Sequence, residues 1–291
     1  MTSNDMAYTD EKIKTMRTKI NFRLNEYFSN YPNVEKELLE AIRYSVMSGG
    51  KRLRPCLLIM FYELCGGKSE KIYDVACAVE MVHTYSLIHD DLPCMDNDEF
   101  RRGRKSTHIV YGEPLALLAG DALLSESFKI LSEEKLSEEF GEKELIKGIR
   151  VLSEMAGTSG MISGQAEDID IAKNIYIKEE KLLNIYEKKT AALFSAAAKI
   201  GAICAEAENK SVNLSAKFGQ LFGMAFQIFD DIIDLKKDKD KKITYVSLSG
   251  IEKSKNLVRK YLDKAVNLLQ EFDGDSEYLK KLLEITFNNF S

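Results

Sequence analysis

Two short clusters of aspartates are the residues of this sequence best suited to chemistry. Residues 89–98 are HDDLPCMDND, and residues 226–234 are FQIFDDIID. In the second cluster, Asp230 and Asp234 are four residues apart and share a helical face, where like charges repel. Carboxylates at the end of an apolar helix are also costly to desolvate, so a cation must offset both effects. Magnesium suits such oxygen ligands, because it takes one or two carboxylates and completes its shell with water and substrate phosphates.

The spacing of the first cluster requires a break in the helix. Asp90 and Asp96 are six residues apart, so they do not share one face of a regular helix. Pro93 lies between them, and a loop or kink there can bring both carboxylates toward one ion. The alternative for either cluster is a solvated helix end, but two copies that each end an apolar helix favour metal binding. A calcium-binding EF-hand is disfavoured because its D-x-D-x-D-G spacing is missing.

Basic residues near these clusters are suited to hold phosphates. Residues 49–55 are GGKRLRP, which puts three cations after a flexible turn, and Arg101 and Arg102 follow the first aspartate cluster. Arginine contacts phosphate oxygens two at a time. Lys189 and Thr190 lie in an otherwise apolar helical stretch and either face a cavity or form part of the surface. Taken alone, each basic cluster is more often part of a solvated surface. Beside the aspartates, they indicate a pocket for two diphosphates.

The elements that position these residues are predicted to be helices. Only four prolines occur, and none follows residue 114, so long helices are permitted. Apolar residues recur at intervals of three and four, the period of an amphipathic helix. Stretches 70–92 and 219–233 lack a polar face, which is typical of helices at the centre of a bundle. We expect an all-α fold, a single large bundle of ten or more helices around a central cavity, in one domain over residues 1–291. The predicted helices cover residues 9–29, 34–48, 54–66, 70–92, 115–133, 141–159, 178–204, 211–236, 250–272 and 275–290.

Composition and charge restrict the partners. The chain has 291 residues and a net charge of -5, so it lacks the broad basic surface that binds nucleic acid or anionic lipid. The five cysteines form no C-x-x-C pair, and neither a disulfide framework nor a zinc site is expected. Reduced cysteines fit a cytoplasmic location. We find no apolar segment typical of a signal peptide or a membrane span.

Taken in order, these motifs resemble the trans-isoprenyl diphosphate synthase family, close to the bacterial farnesyl and geranylgeranyl diphosphate synthases. The resemblance extends from about residue 40 to 260. It rests on GGKRLRP at 49–55, HDDLPCMDND at 89–98, RRG at 101–103, KT at 189–190, FQIFDDIID at 226–234 and TYVSLSGIEK at 244–253. The first aspartate motif has the form with two extra residues. The resemblance implies a homodimer of isoprenoid synthase fold that joins isopentenyl diphosphate to an allylic diphosphate with the help of three Mg²⁺ ions.

The resemblance also implies a role for each matching residue. Isopentenyl diphosphate would be bound by Lys51, Arg54, His83 and Arg102. Two Mg²⁺ ions would be held by Asp90 and Asp96, and a third by Asp230 together with Asp234. The allylic diphosphate would be gripped by Arg101, Lys189 and Lys242. Thr190 and Gln227 would place and stabilise the reacting allyl group, so the catalytic set comprises Lys189, Thr190, Gln227, Asp90 and Asp230.

One segment departs from the family pattern. Family members usually carry a longer loop with a glycine–lysine pair between the second aspartate motif and residue 244, whereas only residues 235–243 intervene here. Lys242 aligns with the later lysine of the family pattern, and Lys236 or Lys237 is the candidate for the earlier one. The short loop puts closure over the substrates in doubt.

The length of the product is expected to depend on the helix that leads into Asp90. Tyr85 lies five residues before Asp90 and Ser86 four, which puts the Tyr85 ring roughly 7 to 8 Å below the metal site. An aromatic ring there would block the growing tail, and this pattern resembles fifteen-carbon synthases; the alternative is that Tyr85 is only a core residue. We expect farnesyl diphosphate as product, with geranylgeranyl diphosphate second.

Two other functions are less favoured. A terpene cyclase normally has no second aspartate cluster, whereas this chain has one. A non-catalytic regulatory subunit is favoured only by the short loop.

Overall fold

The computed structural model describes residues 3–29, 31–171, 177–235 and 243–288, with side chains from residue 11 onward. The chain divides into two compact units. The first comprises Met1–Cys56 and Ser69–Leu145, and the second comprises Leu57–Lys68 and Ile146–Ser291. The single domain predicted over residues 1–291 stays a prediction.

The first unit is a group of helices built around one buried helix. Its elements are α1 (Ser3–Ser29), α2 (Lys36–Val46), the start of α3 (Leu53–Leu64), α4 (Ile72–Asp90), β1 (Phe100–Arg101), β2 (Arg104–Lys105), α5 (Thr107–Tyr111), α6 (Glu113–Leu131), α7 (Glu134–Phe140) and the start of α8 (Glu142–Ala156). Helix α4 packs most extensively against α6 and also contacts α1 and α2. Thirteen of its nineteen residues are buried, which explains why its sequence has no polar face.

The second unit is a layered group of helices around α12. It contains the end of α3, most of α8, α9 (Met161–Ile171), α10 (Glu179–Tyr186), a π-helical turn (Glu187–Ala191), α11 (Ala192–Cys204), α12 (Asn209–Asp234), α13 (Tyr245–Ser249), α14 (Ile251–Leu269) and α15 (Glu277–Thr286). Helix α12 packs against α11, α14 and the π-helical turn. The start of α13 is fixed by a capping box, in which the Thr244 and Ser247 side chains each bond the other residue's backbone N–H.

The all-α class predicted from the sequence is confirmed, and the long helices lie where the apolar periodicity placed them. In the described part of the chain, the strands are limited to the antiparallel pair β1–β2, which forms a small hairpin. The sequence prediction missed this hairpin and the helices α5, α7, α9 and α13. The helix predicted over residues 178–204 is interrupted by the π-helical turn.

Among the described residues, no helix combines the length and the apolar character that a membrane crossing requires.

Candidate active site

The first aspartate motif folds into a tight loop at the end of α4. The helix ends at Asp90, and the backbone N–H of Asp96 donates to the carbonyl oxygen of Asp90 at 2.9 Å. Inside this loop the N–H of Met95 donates to the carbonyl of Leu92 at 2.8 Å. Residue 97 then takes a left-handed backbone conformation, with a φ of 54°. The loop therefore places Asp90 and Asp96 side by side at the level of the backbone, although six positions separate them.

Asp91, the second aspartate of the pair, points away from the exposed side of the motif and is buried. It accepts from Nε of Arg101 at 2.9 Å and also from Nη2 of the same guanidinium, which donates to Asp98 at 3.0 Å. Burial raises the pKa of Asp91 above its usual range, while the Arg101 guanidinium acts against this shift. Arg101, predicted to grip the allylic diphosphate, is thus fixed by two carboxylates of its own unit. The sequence analysis did not assign this role to Asp91.

Three of the four residues predicted to bind isopentenyl diphosphate lie together. Nε2 of His83 is 3.4 Å from Nη1 of Arg54 and 3.4 Å from Nη2 of Arg102. We refer to Arg54, His83 and Arg102 as the anion clamp. Burial lowers the pKa of His83 well below its usual range, and the charges of Arg54 and Arg102 lower it further. A neutral imidazole between two guanidinium groups is a site where an anionic group would be stabilised.

The glycine turn before the clamp is required by Arg102. Gly49 and Gly50 have φ values of 89° and 116°, in the region that only glycine enters at low cost. Nη1 of Arg102 donates to the carbonyl of Gly49. A Cβ atom on Gly50 would lie 2.5 Å from Cζ of Arg102, so any other residue would displace the guanidinium. The turn therefore both holds Arg102 and leaves room for it.

The cations of the GGKRLRP motif have different roles. Lys51 is exposed. Arg52, in contrast, is buried and donates to Glu80 at 2.5 Å, to the carbonyl of Val46 at 2.5 Å and to Asn21 at 2.9 Å. It therefore connects the motif to α1, α2 and α4, while Arg54 is part of the anion clamp. The sequence prediction left Arg52 out of the binding residues, and its burial is consistent with that choice.

The residues expected to limit product length lie on the last turns of α4. The Tyr85 side chain is buried and meets the His89 ring edge-on, with centroids 5.7 Å apart. Burial and the charge of Asp90 raise the pKa of Tyr85 to about 12, so its hydroxyl stays protonated. Ser86 donates to the carbonyl of His83 at 2.9 Å, which turns its hydroxyl toward its own helix.

The second aspartate motif closes α12. Asp230 is half-buried, Asp234 is exposed, and the helix ends at Asp234. Asp231 is buried between them, accepting from the Tyr186 hydroxyl at 2.5 Å and from Nε2 of Gln227 at 3.0 Å. Burial raises the pKa of Asp231 to about 6. As in the first motif, the second aspartate of the pair is buried and orients other side chains.

Lys189 and Thr190 lie in the π-helical turn. Nζ of Lys189 is 2.6 Å from Oδ2 of Asp168 on α9, and the Thr190 hydroxyl donates to Oε1 of Gln227 at 2.7 Å. A Cβ atom on Gly164 of α9 would overlap the backbone nitrogen of Lys189, so α9 contacts the turn directly. The predicted pair of Thr190 and Gln227 is therefore in direct contact. The sequence analysis missed Asp168 because it predicted no helix over α9.

Gln165, on the same helix, is a further residue that the sequence analysis missed. Both polar atoms of its amide are buried without a hydrogen-bond partner. Buried amides are normally satisfied, so this one is available to a bound ligand. Gly164 and Gln165 are uncharged and lie outside the charged motifs from which the site was predicted.

The acidic residues fit magnesium by the type of their donor atoms. Asp90, Asp96, Asp230 and Asp234 offer only carboxylate oxygens, the ligands that Mg²⁺ prefers. Among the described residues, no three histidine, cysteine, aspartate or glutamate side chains form a preformed metal cage. Mg²⁺ takes few protein ligands and shares phosphates with a substrate. The predicted phosphate ligand Lys242, and the candidates Lys236, Lys237 and Lys241, lie outside the described residues.

Comparison with known proteins decides the family. The family model described as polyprenyl synthetase matches residues 35–280. The chain belongs to this family. A farnesyl diphosphate synthase of Bacillus subtilis (strain 168) is 34% identical over 297 residues, 98% of this chain and 98% of the relative. The heterodimeric geranylgeranyl pyrophosphate synthase large subunit 1 of Arabidopsis thaliana, a chloroplast protein, is 40% identical over 251 residues, 81% of this chain and 67% of the relative.

The fold of this polyprenyl synthetase is also similar to that of a solved structure. The crystal structure of an FPP/GFPP synthase from Zymomonas mobilis superposes with a TM-score of 0.88 at 32% identity, covering 98% of this chain and all of that one. The family assigned from sequence motifs is confirmed, and with it the reaction class, prenyl transfer by a short-chain synthase.

Proposed function

We propose that this polyprenyl synthetase makes farnesyl diphosphate, by joining isopentenyl diphosphate to dimethylallyl diphosphate and then to geranyl diphosphate. The observation that carries the choice of product is the buried ring of Tyr85 on α4, five residues before Asp90. A buried aromatic ring at this depth would block a longer tail along the helix. The full-length match to a farnesyl diphosphate synthase supports the same product.

The anion clamp is the proposed site for isopentenyl diphosphate. Arg54 and Arg102 offer planar donors to phosphate oxygens, and the charge of a bound dianion would favour the protonated form of His83 between them. Lys51 is exposed, three residues before Arg54, and would add a further positive charge when it is extended toward the ligand. This site fixes the diphosphate end and leaves the five-carbon end for reaction.

The allylic diphosphate is proposed to be held by carboxylates that share metal ions and by cations. Asp90 and Asp96 would hold two Mg²⁺ ions and Asp230 with Asp234 a third, and bound magnesium would neutralise charge on the departing diphosphate. Lys189 exchanges its contact with Asp168 for a phosphate oxygen. Arg101 and Lys242 complete the set of cations.

The reaction needs no nucleophilic side chain. The allylic carbon–oxygen bond breaks with both electrons leaving on the diphosphate, and Lys189 stabilises the charge that develops there. The resulting allyl cation lies against the Thr190 hydroxyl oxygen and Gln227, whose dipoles stabilise it. The double bond of isopentenyl diphosphate then attacks the cation. A proton lost to the released diphosphate restores an alkene, so atoms and charge balance. Buried apolar residues exclude water from the cation.

Purified protein incubated with Mg²⁺, radiolabelled isopentenyl diphosphate and geranyl diphosphate tests this proposal. We expect fifteen-carbon alcohols after hydrolysis, no incorporation when a chelator removes the metal, and longer products from Tyr85→Ala. Tyr73→Phe, a change to another buried tyrosine of α4, is the control and keeps the product length. Twenty-carbon products from the wild-type chain, or an unchanged length in Tyr85→Ala, would reject the farnesyl assignment.

Two other functions are each favoured by one observation. Geranylgeranyl diphosphate synthesis is favoured by the plant relatives, which reach 40% identity. A non-catalytic subunit that regulates a partner synthase is favoured by the short segment 235–243. The same assay separates them, because the first gives twenty-carbon products and the second incorporates no label.

A homodimer in the cytoplasm is the proposed state of the enzyme. Four large apolar side chains on α5 and α6 are exposed by 41% to 49%: Ile109, Val110, Leu117 and Leu118. Such a group on one unit favours a partner surface. Light scattering should give twice the chain mass, and Leu118→Lys should shift the protein toward the mass of one chain.

A further inference from the structure

A chain of hydrogen bonds in the second unit ends at the pair of residues proposed to face the allyl cation. It begins at the backbone N–H of Tyr245, the first residue of α13, which donates to the Tyr186 hydroxyl oxygen at 3.1 Å. Tyr186 donates to Oδ2 of Asp231 at 2.5 Å, and Nε2 of Gln227 donates to Oδ1 of Asp231 at 3.0 Å. Thr190 then donates to Oε1 of Gln227 at 2.7 Å.

The direction of every bond in this chain is fixed by the Tyr245 N–H and by the Asp231 carboxylate. A backbone N–H can only donate, so the Tyr186 oxygen accepts from Tyr245 and its own proton goes to Asp231. The Asp231 carboxylate accepts one bond on each oxygen and, when ionised, has no proton to donate. Gln227 must therefore turn its NH₂ group to Asp231 and its oxygen to Thr190. The Thr190 hydroxyl must in turn give its proton to Gln227.

We propose that Asp231 and Tyr186 are positioning residues that set the amide orientation of Gln227, so that Thr190 presents oxygen lone pairs rather than a proton to the reacting allyl group. This inference rests on the proposed function, in which Thr190 and Gln227 lie against that group. Lone pairs attract a carbocation, whereas an O–H dipole pointing at it would repel it. Asp231 acts through Gln227 and is not assigned to the metal.

The helical spacing makes this arrangement cooperative. Tyr186 and Thr190 are four residues apart, as are Gln227 and Asp231, and the pairs connect in opposite chain directions. The end of α10 and the π-helical turn that follows it are thus joined to the last turns of α12 at two successive levels. Tyr186 also connects α13 to these two segments by accepting from the Tyr245 N–H. We therefore expect the loss of one of these bonds to weaken the others.

Four variants test the proposal with a built-in rescue. Asp231→Asn has one acceptor oxygen, which Tyr186 occupies, so its NH₂ group faces Gln227 and forces the amide to reverse. Gln227→Glu places two acceptor groups against each other. The double variant Asp231→Asn with Gln227→Glu restores one donor and one acceptor at every contact and again requires Thr190 to donate. Tyr186→Phe removes the hydroxyl that bonds Asp231. Tyr261→Phe on α14 is the matched control, because it removes the hydroxyl of a half-buried tyrosine that is not part of this series of hydrogen bonds.

Steady-state kinetics with geranyl diphosphate should separate positioning from folding. Each of the three single changes at 186, 227 and 231 is expected to lower kcat about tenfold or more, the effect of losing one hydrogen bond to a charged group. The KM for isopentenyl diphosphate should stay within about twofold, because the anion clamp is unchanged. The double variant should recover at least about tenfold of kcat over the poorer single variant, and Tyr261→Phe should match the wild type.

The outcomes distinguish this inference from the proposed function. A double variant no better than its poorer single variant, with thermal unfolding midpoints equal to the wild type, would overturn the orientation of Gln227 by Asp231. Full kcat in Tyr186→Phe would overturn the role of Tyr186. No prenyl transfer by the wild-type chain would overturn the proposed function itself, whatever the variants do.

Discussion

The buried pair of Arg52 and Glu80 is predicted to hold the anion clamp in place, and removing either charge should be costly. Both side chains are 1% exposed, and their nearest charged atoms are 2.5 Å apart. The second carboxylate oxygen of Glu80 is buried without a hydrogen-bond partner, so this charge depends on Arg52. Breaking such a pair leaves an uncompensated buried charge, at about 3–5 kcal/mol. That is a large fraction of the roughly 5–15 kcal/mol by which a domain is stable.

A double-mutant cycle measures this dependence. Arg52→Met and Glu80→Met each leave one buried charge alone, whereas the double variant leaves none. We expect each single variant to lose about 3–5 kcal/mol in urea unfolding, and the double variant to lose less than the sum by at least about 2 kcal/mol. The exposed pair Lys19–Glu70, at 2.9 Å, is the matched control, and its coupling should stay below about 1 kcal/mol.

The same variants should affect substrate binding more than turnover. Arg52 contacts three helices of its unit, so its loss loosens the segment that carries Lys51 and Arg54. Well below the unfolding temperature, the KM for isopentenyl diphosphate should rise by a larger factor than kcat falls. Strictly additive losses, or single variants that each lose under about 1 kcal/mol, would refute the reasoning.

Two further predictions concern His83 and Gly164. Because burial depresses the pKa of folded His83, the unfolded chain binds its proton first, and stability falls as pH drops below about 6.5. His83→Asn should make the loss of stability in urea between pH 7 and pH 5 smaller, by up to about 1.4 kcal/mol per pH unit, and an unchanged slope would contradict the shift. Gly164→Ala should cost about 1–3 kcal/mol and lower kcat, because the new methyl meets the backbone of Lys189. The control Gly148→Ala, whose Cβ would be 3.7 Å from Ile200, should not destabilise, and equal melting temperatures for the two variants would count against the contact.

The sequence predicted the long helices because their apolar residues repeat with the period of a helix. Helices α5, α7 and α13 have only five to seven residues, too few for a period to show. Helix α9 is longer, but Gly164 and several acidic residues interrupt its pattern. The π-helical turn has no signal in composition, since its hydrogen-bond register depends on packing against Gly164 and Gly223, which are distant in sequence.

The candidate site divides in the same way. Motif order and residue type single out Asp90, Asp96, Asp230 and the members of the anion clamp as candidates. They were not sufficient to show that Asp91 and Asp231 are buried, because their partners, Arg101 and Tyr186, are brought close only by folding. A rotation of about 100° between successive helical residues puts neighbouring aspartates on different faces, and the structure shows which face is buried.

The π-helical turn makes this part of the enzyme unusually sensitive to insertions and deletions. Such a turn holds one residue more than the helix around it, so deleting a single codon within 187–191 would yield an ordinary α-helix. The helices on either side would keep nearly their relative orientation, because five residues of a π-helical turn and four of an α-helix sweep about the same angle. A deletion at 187–189, however, would leave Tyr186 and Thr190 three positions apart, out of step with their partners Asp231 and Gln227 on α12. A frame-preserving loss of one residue should thus give a folded protein without activity, an outcome that substitution alone rarely produces.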